Sequence, residues 1–296
     1  MKRKRRKQYP VWLSVIATLA AILVYLFTET TLLDPLLNRL LPQQNVAPQS
    51  ADTTAVDVSP AAAPCLSPDM EFPRLLEDRP GQLIRHLAYT VHYNPKWRVP
   101  NWVAYCLTAE ETQGGEERAS HFYPDPMVEG DPVVTKDYSN SGYDRGHMAP
   151  AADFKWSEEA MRESFYMTNM CPQNHNLNAG DWKELEELVR QLAVQYGRIY
   201  VACGPVVAAR PKTIGTERKI AVPQAFFKAL LRQRNDGSWT AVGFLFANKA
   251  GNKPLSAYAT TIDELQTTTG IDFFPALPDE AEQQAEVSCT LSDWNL

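Results

Sequence analysis

The sequence predicts an α+β fold, in which strands and helices mix without the regular βαβ rhythm of a parallel sheet. The composition favours a packed globular core, because 44% of the residues are hydrophobic and 22% are charged. Alternating apolar segments bounded by glycine, proline and asparagine indicate the strands. With 296 residues the chain could hold one large domain or two small ones.

Five segments show the alternation that is typical of strands: residues 86–93, 102–107, 199–203, 226–232 and 239–246. The last two flank Asn235-Asp236-Gly237, which favours a tight hairpin. Residues 165–168 are also expected to be extended. The charged segment 110–132, which is interrupted by glycine and proline, is expected to form a long and functional loop.

Three helices are expected from capping residues and apolar periodicity: residues 157–164, a segment that begins at 178 or 181 and ends at 197, and residues 261–269. Ser157 is a good N-cap residue, because its hydroxyl can accept from a free backbone N–H. Gly197 and Gly270 are good C-terminal stops, because glycine adopts the left-handed conformation that ends many helices.

The second of these helices carries several carboxylates on different sides. Its apolar stripe consists of Trp182, Leu185, Leu188, Val189 and Leu192. At about 100° per residue, Glu184 and Glu187 point away from that stripe, whereas Glu186 lies at its edge. Asn178 lies on the same side two turns earlier. Glu186 is therefore expected to face other protein groups, although a solvated acidic helix face has the same spacing.

The N-terminus has the pattern of a membrane anchor. Six cationic residues at 2–7 precede an uncharged, largely apolar run that is long enough to span a bilayer. We expect a basic cytoplasmic tail (1–10), a transmembrane signal anchor (11–28) and a flexible linker (29–69) that is rich in alanine, proline and glutamine. The remainder would lie outside the cytoplasm, in the periplasm or at the cell exterior. A cleaved signal peptide is the alternative.

The charge distribution argues against a large basic surface for nucleic acid. The net charge is −6, and without the six cations at 2–7 the other residues sum to −12. Phosphate contacts usually come from lysine and arginine. Any nucleic-acid binding therefore depends on a local basic patch or on a metal ion.

His147 differs in its context from the other four histidines. His86 and His92 lie in strand-like segments, and His121 and His175 have no partner that spacing can identify. His147 follows Asp144-Arg145-Gly146, where the glycine permits a close backbone approach. An imidazole can accept a proton from water near neutral pH. A histidine of purely structural role remains open on these residues alone.

The segment Asp144-Arg145-Gly146-His147 resembles the signature of the DNA/RNA non-specific endonucleases, a family that includes secreted bacterial nucleases and the mitochondrial endonuclease G type. The similarity continues in order through further segments: Asn101-Trp102-Val103-Ala104-Tyr105, Thr168-Asn169-Met170-Cys171-Pro172-Gln173, Leu177-Asn178 with Trp182 and Leu185-Glu186, Cys203-Gly204-Pro205, and Val222-Pro223 with Phe226-Phe227-Lys228. It spans roughly residues 71–278. The resemblance therefore implies a nuclease domain at 70–278, followed by a C-terminal tail at 279–296.

The fold that this resemblance implies is a ββα-metal (His-Me finger) nuclease, with a central, mainly antiparallel sheet flanked by helices. His147 matches the general base that activates water. Asn178 matches the single direct protein ligand of Mg²⁺, or of Mn²⁺ or a similar divalent cation. Glu186 matches the acid that holds the water shell of that ion. A one-metal hydrolysis of phosphodiester bonds in DNA, RNA or both is expected.

Further residues are carried over from the same resemblance. Arg118 resembles the arginine that stabilises charge on the phosphate, and Asn169 resembles an asparagine that positions the other groups. Asp144, Arg145 and Gly146 complete the motif around the base. Cys171 and Cys203 depart from the small hydroxyl residues that are usual at those positions. Both are small, so we expect little effect.

Two other classes of protein remain possible. A non-catalytic nucleic-acid receptor could keep the fold and the anchor, but it need not keep His147, Asn178, Glu186 and Arg118 together. A structural protein tethered to the membrane is the other alternative. The expected partners are the nucleic-acid substrate, the membrane through the N-terminal helix, and a second copy of the chain in a homodimer.

Cys65 and Cys289 are predicted to form a disulfide. Five cysteines without a C-x-x-C pair do not indicate a zinc site. Cys65 and Cys289 bracket the matched region from outside, and the anchor would place both in a compartment that permits disulfides. The termini of a domain often lie close together, so the two could meet. Unpaired thiols on disordered flanks are the alternative.

Overall fold

The computed structural model describes residues 69–296. In chain order the strands of this part are β1 (Arg74–Leu75), β2 (Gln82–Arg85), β3 (Thr90–Asn94), β4 (Val99–Thr108), β5 (Asp144–His147), β6 (Met170–Gln173), β7 (Arg198–Val206), β8 (Thr213–Ile214), β9 (Ile220–Ala221), β10 (Ala225–Gln233), β11 (Trp239–Ala247), β12 (Ala259–Thr260) and β13 (Ile271–Asp272). The helices are α1 (Glu158–Glu163), α2 (His175–Ala179), α3 (Asp181–Tyr196), α4 (Ile262–Thr269) and α5 (Asp279–Glu286).

Seven of these strands form a central sheet in the order β12-β11-β10-β7-β4-β3-β2. Every neighbouring pair in it is antiparallel. In the middle of the sheet Cys203 of β7 faces Val103 of β4 on one side and Lys228 of β10 on the other. The mixed fold with a central antiparallel sheet is confirmed.

The sheet separates two hydrophobic layers, which we call the α3 face and the α4 face. Along β10, Phe226 and Leu230 point to the α3 face, whereas Phe227 and Leu231 point to the α4 face. This alternation is the period of two that a strand imposes. The α3 face is covered by the apolar stripe of α3, and the α4 face by α4, α5 and the segment around Phe273.

The helix boundaries follow the capping residues. Ser157 accepts a hydrogen bond from the backbone N–H of Ala160 at the start of α1. Thr261 accepts one from Glu264 at the start of α4, and Gly270 ends that helix with φ +66°. Gly197 ends α3 with φ +84°. The three predicted helices are therefore confirmed at these ends.

The segment between β4 and β7 leaves the central sheet. It contains β5 and β6, which pair antiparallel with each other in a separate two-stranded sheet, and it then returns through α2 and α3. His147 is the last residue of β5, and the Trp182 indole of α3 donates to the His147 carbonyl at 3.2 Å. This ββα unit lies on the α3 face.

Two local expectations were wrong. Residues 86–93 are not one strand, because the chain turns after Arg85 and β3 begins only at Thr90. Residues 165–168 are not extended, because a 3-10 turn at Met167–Asn169 precedes β6. Of the two starts predicted for the long helix, the structure has the second: α3 begins at Asp181, because Gly180, with φ −111° and ψ −115°, is not helical and separates it from α2.

Residues 279–296, assigned to a tail from the sequence, carry regular structure. Helix α5 occupies their first half, and a 3-10 turn at Leu291–Trp294 follows it. Trp294 is fully buried in the layer on the α3 face, and the guanidinium of Arg232 lies 5.4 Å from its ring centre. Burial of one large aromatic ring fixes this end of the chain to the domain.

The basic tail, the transmembrane anchor and the linker all fall within residues 1–68 and lie outside the described residues. Among residues 69–296, no helix has the length and apolar character needed to cross a membrane. Cys65 also lies outside the described part, so its disulfide with Cys289 stays a prediction. Cys289 is half-buried and packs against the layer on the α3 face.

Candidate active site

Most of the predicted site residues line one cleft on the α3 face. The cleft has a volume of about 500 Å³, and its walls are β5, the loop before it, α2 and the first half of α3. Of the residues named from the sequence, it is lined by Arg118, Asp144, Arg145, His147, Asn178 and Glu186. The structure thus brings together side chains that are up to 68 residues apart in the chain.

His147 lies against two aromatic rings at the wall of this cleft. Its ring meets Phe165 edge-on at 4.9 Å and tilts against Phe122 at 5.7 Å. Its Nε2 atom is buried and has no hydrogen-bond partner within the described part of the chain. Burial and then the cation of Arg118 lower the pKa of His147 to about 3. The imidazole is therefore neutral at physiological pH and can accept a proton.

Asn169 does not line the cleft but holds the chain just beyond His147. It is fully buried. Its side chain accepts from the N–H of Ala149 at 2.9 Å and donates to the carbonyl of Ala149 at 2.8 Å. It also donates to the carbonyl of Ser164 at 2.8 Å. Asn169 is thus a positioning residue that ties the end of β5 to the segment after α1.

Asn178 is oriented by the first residue of the motif. Its Nδ2 donates to Oδ2 of Asp144 at 2.9 Å, and Nδ1 of His175 lies at the same distance from that oxygen. Because Asp144 occupies the donor end of the amide, the carbonyl oxygen of Asn178 is the end available to a ligand in the cleft. The partner of His175 was not predicted, since α2 and β5 are distant in sequence.

Glu186 projects from α3 into the cleft, as the helical periodicity predicted, while Glu184 and Glu187 point to solvent. Burial raises the pKa of Glu186 to about 7, against the opposing effect of Lys228. The nearby carboxylate of Asp153 raises this pKa further, and Arg190 and Arg118 lower it. A carboxyl group in this environment changes its charge near neutral pH.

The two arginines of the cleft have different surroundings. The guanidinium of Arg118 lies 4.9 Å from the ring centre of Phe165, so that it borders the same wall as His147. The guanidinium of Arg145 lies 5.2 Å from the ring centre of Phe122 and donates to the carbonyl of Thr135 at 3.1 Å. These contacts brace Arg145 against the loop, whereas Arg118 offers its charge to the cleft.

The side chain of Gln173 leaves no room for a Cβ atom at Gly146. The sequence had suggested a different reason for the glycine, a close approach of the backbone. A Cβ atom at this position would lie 2.0 Å from Oε1 and 2.6 Å from Cβ of Gln173. Gln173 is on β6 and is fully buried. A larger residue at 146 would therefore displace either β6 or the strand that carries His147.

The sequence did not predict the polar groups behind the cleft. Asp153 is fully buried, accepts from Nη1 of Arg190 at 2.9 Å and accepts from the hydroxyl of Tyr105 at 3.0 Å. Lys228 is also fully buried, on the same face of the sheet. Lys228 had one signal that could have been used: a lysine interrupts an otherwise apolar strand at a core-facing position.

Comparison with known proteins assigns the chain to a family. Residues 75–280 match the model of the family described as DNA/RNA non-specific endonuclease. The mitochondrial nuclease EXOG of Mus musculus is 33% identical over 209 residues, which are 65% of this chain and 57% of that protein. The mitochondrial endonuclease G of Homo sapiens is 32% identical over 208 residues, which are 66% of this chain and 70% of that protein.

A solved structure supports the same assignment. The crystal structure of the EndoG/EndoGI complex, described as showing a mechanism of EndoG inhibition, matches with a TM-score of 0.64 and 27% identity, over 68% of this chain and 89% of that one. The chain spans only 57% of the mouse EXOG nuclease, so it lacks a match to the rest of that relative. The family match, which covers more than half of the sequence and includes every residue of the cleft, shows that this chain belongs to the DNA/RNA non-specific endonucleases.

Proposed function

We propose that this protein is an endonuclease that hydrolyses phosphodiester bonds of DNA, RNA or both without reading their sequence. The observation that carries the proposal is one cleft that unites a neutral histidine, an arginine, an amide oxygen and a carboxyl group. Phosphodiester hydrolysis needs an activated water, a positive group that stabilises charge on the phosphate, and a group that stabilises the negative charge on the leaving oxygen. The named relatives are nucleases, which agrees with this chemistry.

His147 is proposed to take the proton of the attacking water. Its low pKa keeps the imidazole neutral before the substrate binds. The cation of Arg118 contributes to that low pKa, so a phosphate bound at Arg118 would offset this charge and raise the basicity of His147. The substrate would then strengthen the base at the moment when it is needed.

Arg118 is proposed to bind the scissile phosphate. It lies beside His147 at the wall of the cleft, and no salt bridge to a carboxylate engages it among the described residues. A guanidinium that faces a developing negative charge stabilises the transition state more than the ground state. Contacts to phosphate carry no base information, which accounts for the lack of sequence preference.

The donor atoms of the cleft fit a divalent cation such as Mg²⁺ or Mn²⁺. The carbonyl oxygen of Asn178 is presented by the bond from its Nδ2 to Asp144, and Glu186 adds a carboxylate on the adjacent helix. Hard cations prefer oxygen ligands, and Mg²⁺ keeps much of its water shell. Such an ion would supply positive charge at the leaving oxygen. Asn178 is proposed as its direct ligand, and Glu186 as the group that holds its water.

The N-terminal segment is proposed to tether the nuclease domain to a membrane. The proposal rests on the basic cluster at 2–7 and the apolar run that follows it. The domain would then face the periplasm or the cell exterior, where the Cys65–Cys289 bridge could form. Fractionation of the full chain tests it: extraction from membranes by salt or alkali alone would contradict the anchor, whereas a detergent requirement is expected.

A homodimer stays a prediction, which light scattering of the purified domain would check.

A nicking assay on supercoiled plasmid tests the central proposal. The protein is expected to produce open-circular and linear DNA in Mg²⁺, with no preferred cut site, and to stop when EDTA is added. Parallel incubation with a structured RNA shows the substrate range. A non-catalytic receptor would instead retard both nucleic acids in a gel and leave them intact with every metal.

A further inference from the structure

A second cavity, of about 610 Å³, meets the cleft at helix α2. Leu177 lines this second cavity, whereas the next residue, Asn178, lines the cleft. Its other walls are the end of β11 and the loop that follows it, residues 248–254. We call it the lysine cavity, because Lys249 and Lys253 of that loop line it. The two cavities are therefore neighbours that share one short helix.

The lysine cavity has an unusual charge for this protein. Its lining contains two cations and no carboxylate. Lys249 and Lys253 are both exposed, and neither makes a salt bridge within residues 69–296. Apart from the six cations at 2–7, the whole chain sums to −12. Nucleic-acid binding by so acidic a chain needs a local basic patch, and these two lysines form one beside the cleft.

Hydrogen bonds at both ends attach the loop to the helices of the active site. Oδ1 of Asn248 accepts from the backbone N–H of Asn174, the N-cap residue of α2, at 2.8 Å. Nδ2 of Asn248 donates to the carbonyl of Pro172 at 3.0 Å. Oδ2 of Asp181, the first residue of α3, accepts from the backbone N–H of Asn252 at 3.1 Å. The loop is therefore fixed relative to the two helices that carry the proposed metal-binding groups.

The loop also packs closely on Asp181. A Cβ atom at Gly251 would lie 1.8 Å from Oδ2 of Asp181, so a side chain at that position has no room. The hydroxyl of Tyr258 donates to the same oxygen, and its ring stacks on Phe246 at 4.3 Å between ring centres. Asp181 is buried and does not line the lysine cavity. Its carboxylate is thus engaged by the loop and by Tyr258.

We propose that the lysine cavity binds a backbone phosphate of the nucleic-acid substrate, outside the bond that is cut, through Lys249 and Lys253. The proposal rests on the proposed nuclease function and adds a second point of attachment for the same substrate. A strand whose reacting phosphate lies at Arg118 would pass α2 and reach the two lysines with a neighbouring part of its backbone. An ammonium group binds phosphate as a point charge, so this contact adds affinity without sequence preference.

The test measures the binding of a fluorescein-labelled oligodeoxythymidylate to the full chain, purified in detergent, by fluorescence anisotropy at several salt concentrations. EDTA is present throughout, so that no strand is cut. The double variant Lys249→Gln/Lys253→Gln removes both charges, and Lys249→Arg/Lys253→Arg keeps them. The matched control is Lys96→Gln/Lys212→Gln, because these two lysines are exposed but line neither cavity.

The glutamine variant of the cavity is expected to bind more weakly and with less dependence on salt. We expect its Kd at low salt to rise about tenfold. The slope of log Kd against log salt should fall by about 1.4, since each phosphate contact on a single strand contributes about 0.7. The arginine variant and the control variant should keep the wild-type Kd and slope. All the variants should keep the wild-type melting temperature, because the changed side chains are exposed.

An unchanged slope in the glutamine variant of the cavity would overturn the proposal. An equal loss of affinity in the control variant would also overturn it, because the effect would then come from the net charge alone. The binding assay needs no cleavage, so it stays separate from the test of the nuclease. A wild-type protein that binds through these lysines but does not nick plasmid in Mg²⁺ would refute the nuclease proposal and leave the phosphate site standing.

Discussion

The two faces of the central sheet have different roles, although the same strands form both. On the α4 face the side chains of β10 are apolar: Phe227, Ala229 and Leu231 pack against α4 and the ring of Phe273. On the α3 face the same strand inserts Lys228, and the layer includes the neighbours of His147. Burial of apolar area stabilises the fold, whereas buried polar groups cost free energy unless they are paired. Apolar burial on both faces therefore holds the domain together, and the α3 face in addition carries the cleft of the proposed active site.

A large effect is expected at Asn178, on the α3 face. Asn178→Ala removes the amide oxygen that we propose as the metal ligand and leaves the fold unchanged, because Asn178 is half-buried at the end of the short helix α2. We expect cleavage at low Mg²⁺ to fall by about 10²–10³-fold, since a metal ion contributes several kcal/mol to charge stabilisation. A titration of activity with Mg²⁺ measures this. An identical titration curve would remove Asn178 as the ligand.

The matched change on the α4 face is Phe227→Ala. Phe227 is fully buried and contacts Phe273 edge-on at 5.4 Å between ring centres. Truncation of a buried phenylalanine costs about 3–5 kcal/mol of unfolding free energy. We expect urea denaturation to show that loss. At a temperature where the variant stays folded, its kcat should be close to that of the wild type. A variant that keeps its stability but loses cleavage would contradict the division between the two faces.

The smallest effect concerns stability below neutral pH. The pKa of His147 falls to about 3 in the folded protein, below the value of about 6.5 expected when unfolded. The unfolded chain therefore binds this proton first as the pH falls, and the folded state loses stability between about pH 6.5 and pH 3, by at most about 1.4 kcal/mol per unit. His147→Phe should lack this contribution. Urea denaturation of the wild type and of His147→Phe at pH 6.5 and pH 4.5 measures their free energies of unfolding. We expect the wild type to lose more of this free energy than the variant between the two pH values. Equal losses in the two proteins would contradict the low pKa of His147.

The sequence predicted those features that depend on local patterns. The strands β4, β7, β10 and β11 follow from alternation, and α4 follows from its cap at Thr261 and its stop at Gly270. Glu186 was placed correctly because its direction depends only on the period of its own helix. The motif at 144–147 identified the cleft because the resemblance spanned most of the domain.

Features that depend on long-range contacts could not be predicted in this way. The contact of Lys228 with Met148 joins residues 80 apart, and that of His175 with Asp144 joins residues 31 apart. The start of α3 could not be decided between Asn178 and Asp181, because the apolar stripe does not show the non-helical conformation of Gly180. Trp294 was placed in a tail because its polar neighbours give no sign of the pocket that receives it.

The most direct test of the role proposed for His147 compares two histidines, one on each face of the sheet. His147 lies in the cleft, whereas His92 stacks on Trp102 of the α4 face at 5.6 Å between ring centres and pairs with the Asn101 amide at 2.9 Å. Cleavage of supercoiled plasmid in Mg²⁺ is measured for the wild type, His147→Ala and His92→Ala, together with their melting temperatures. We expect His147→Ala to lose about 10²–10⁴-fold in rate with its fold intact, the range of general base catalysis, and His92→Ala to lose stability with its rate per folded molecule unchanged. Cleavage by His147→Ala at the wild-type rate would contradict the proposal that His147 takes the proton of the attacking water.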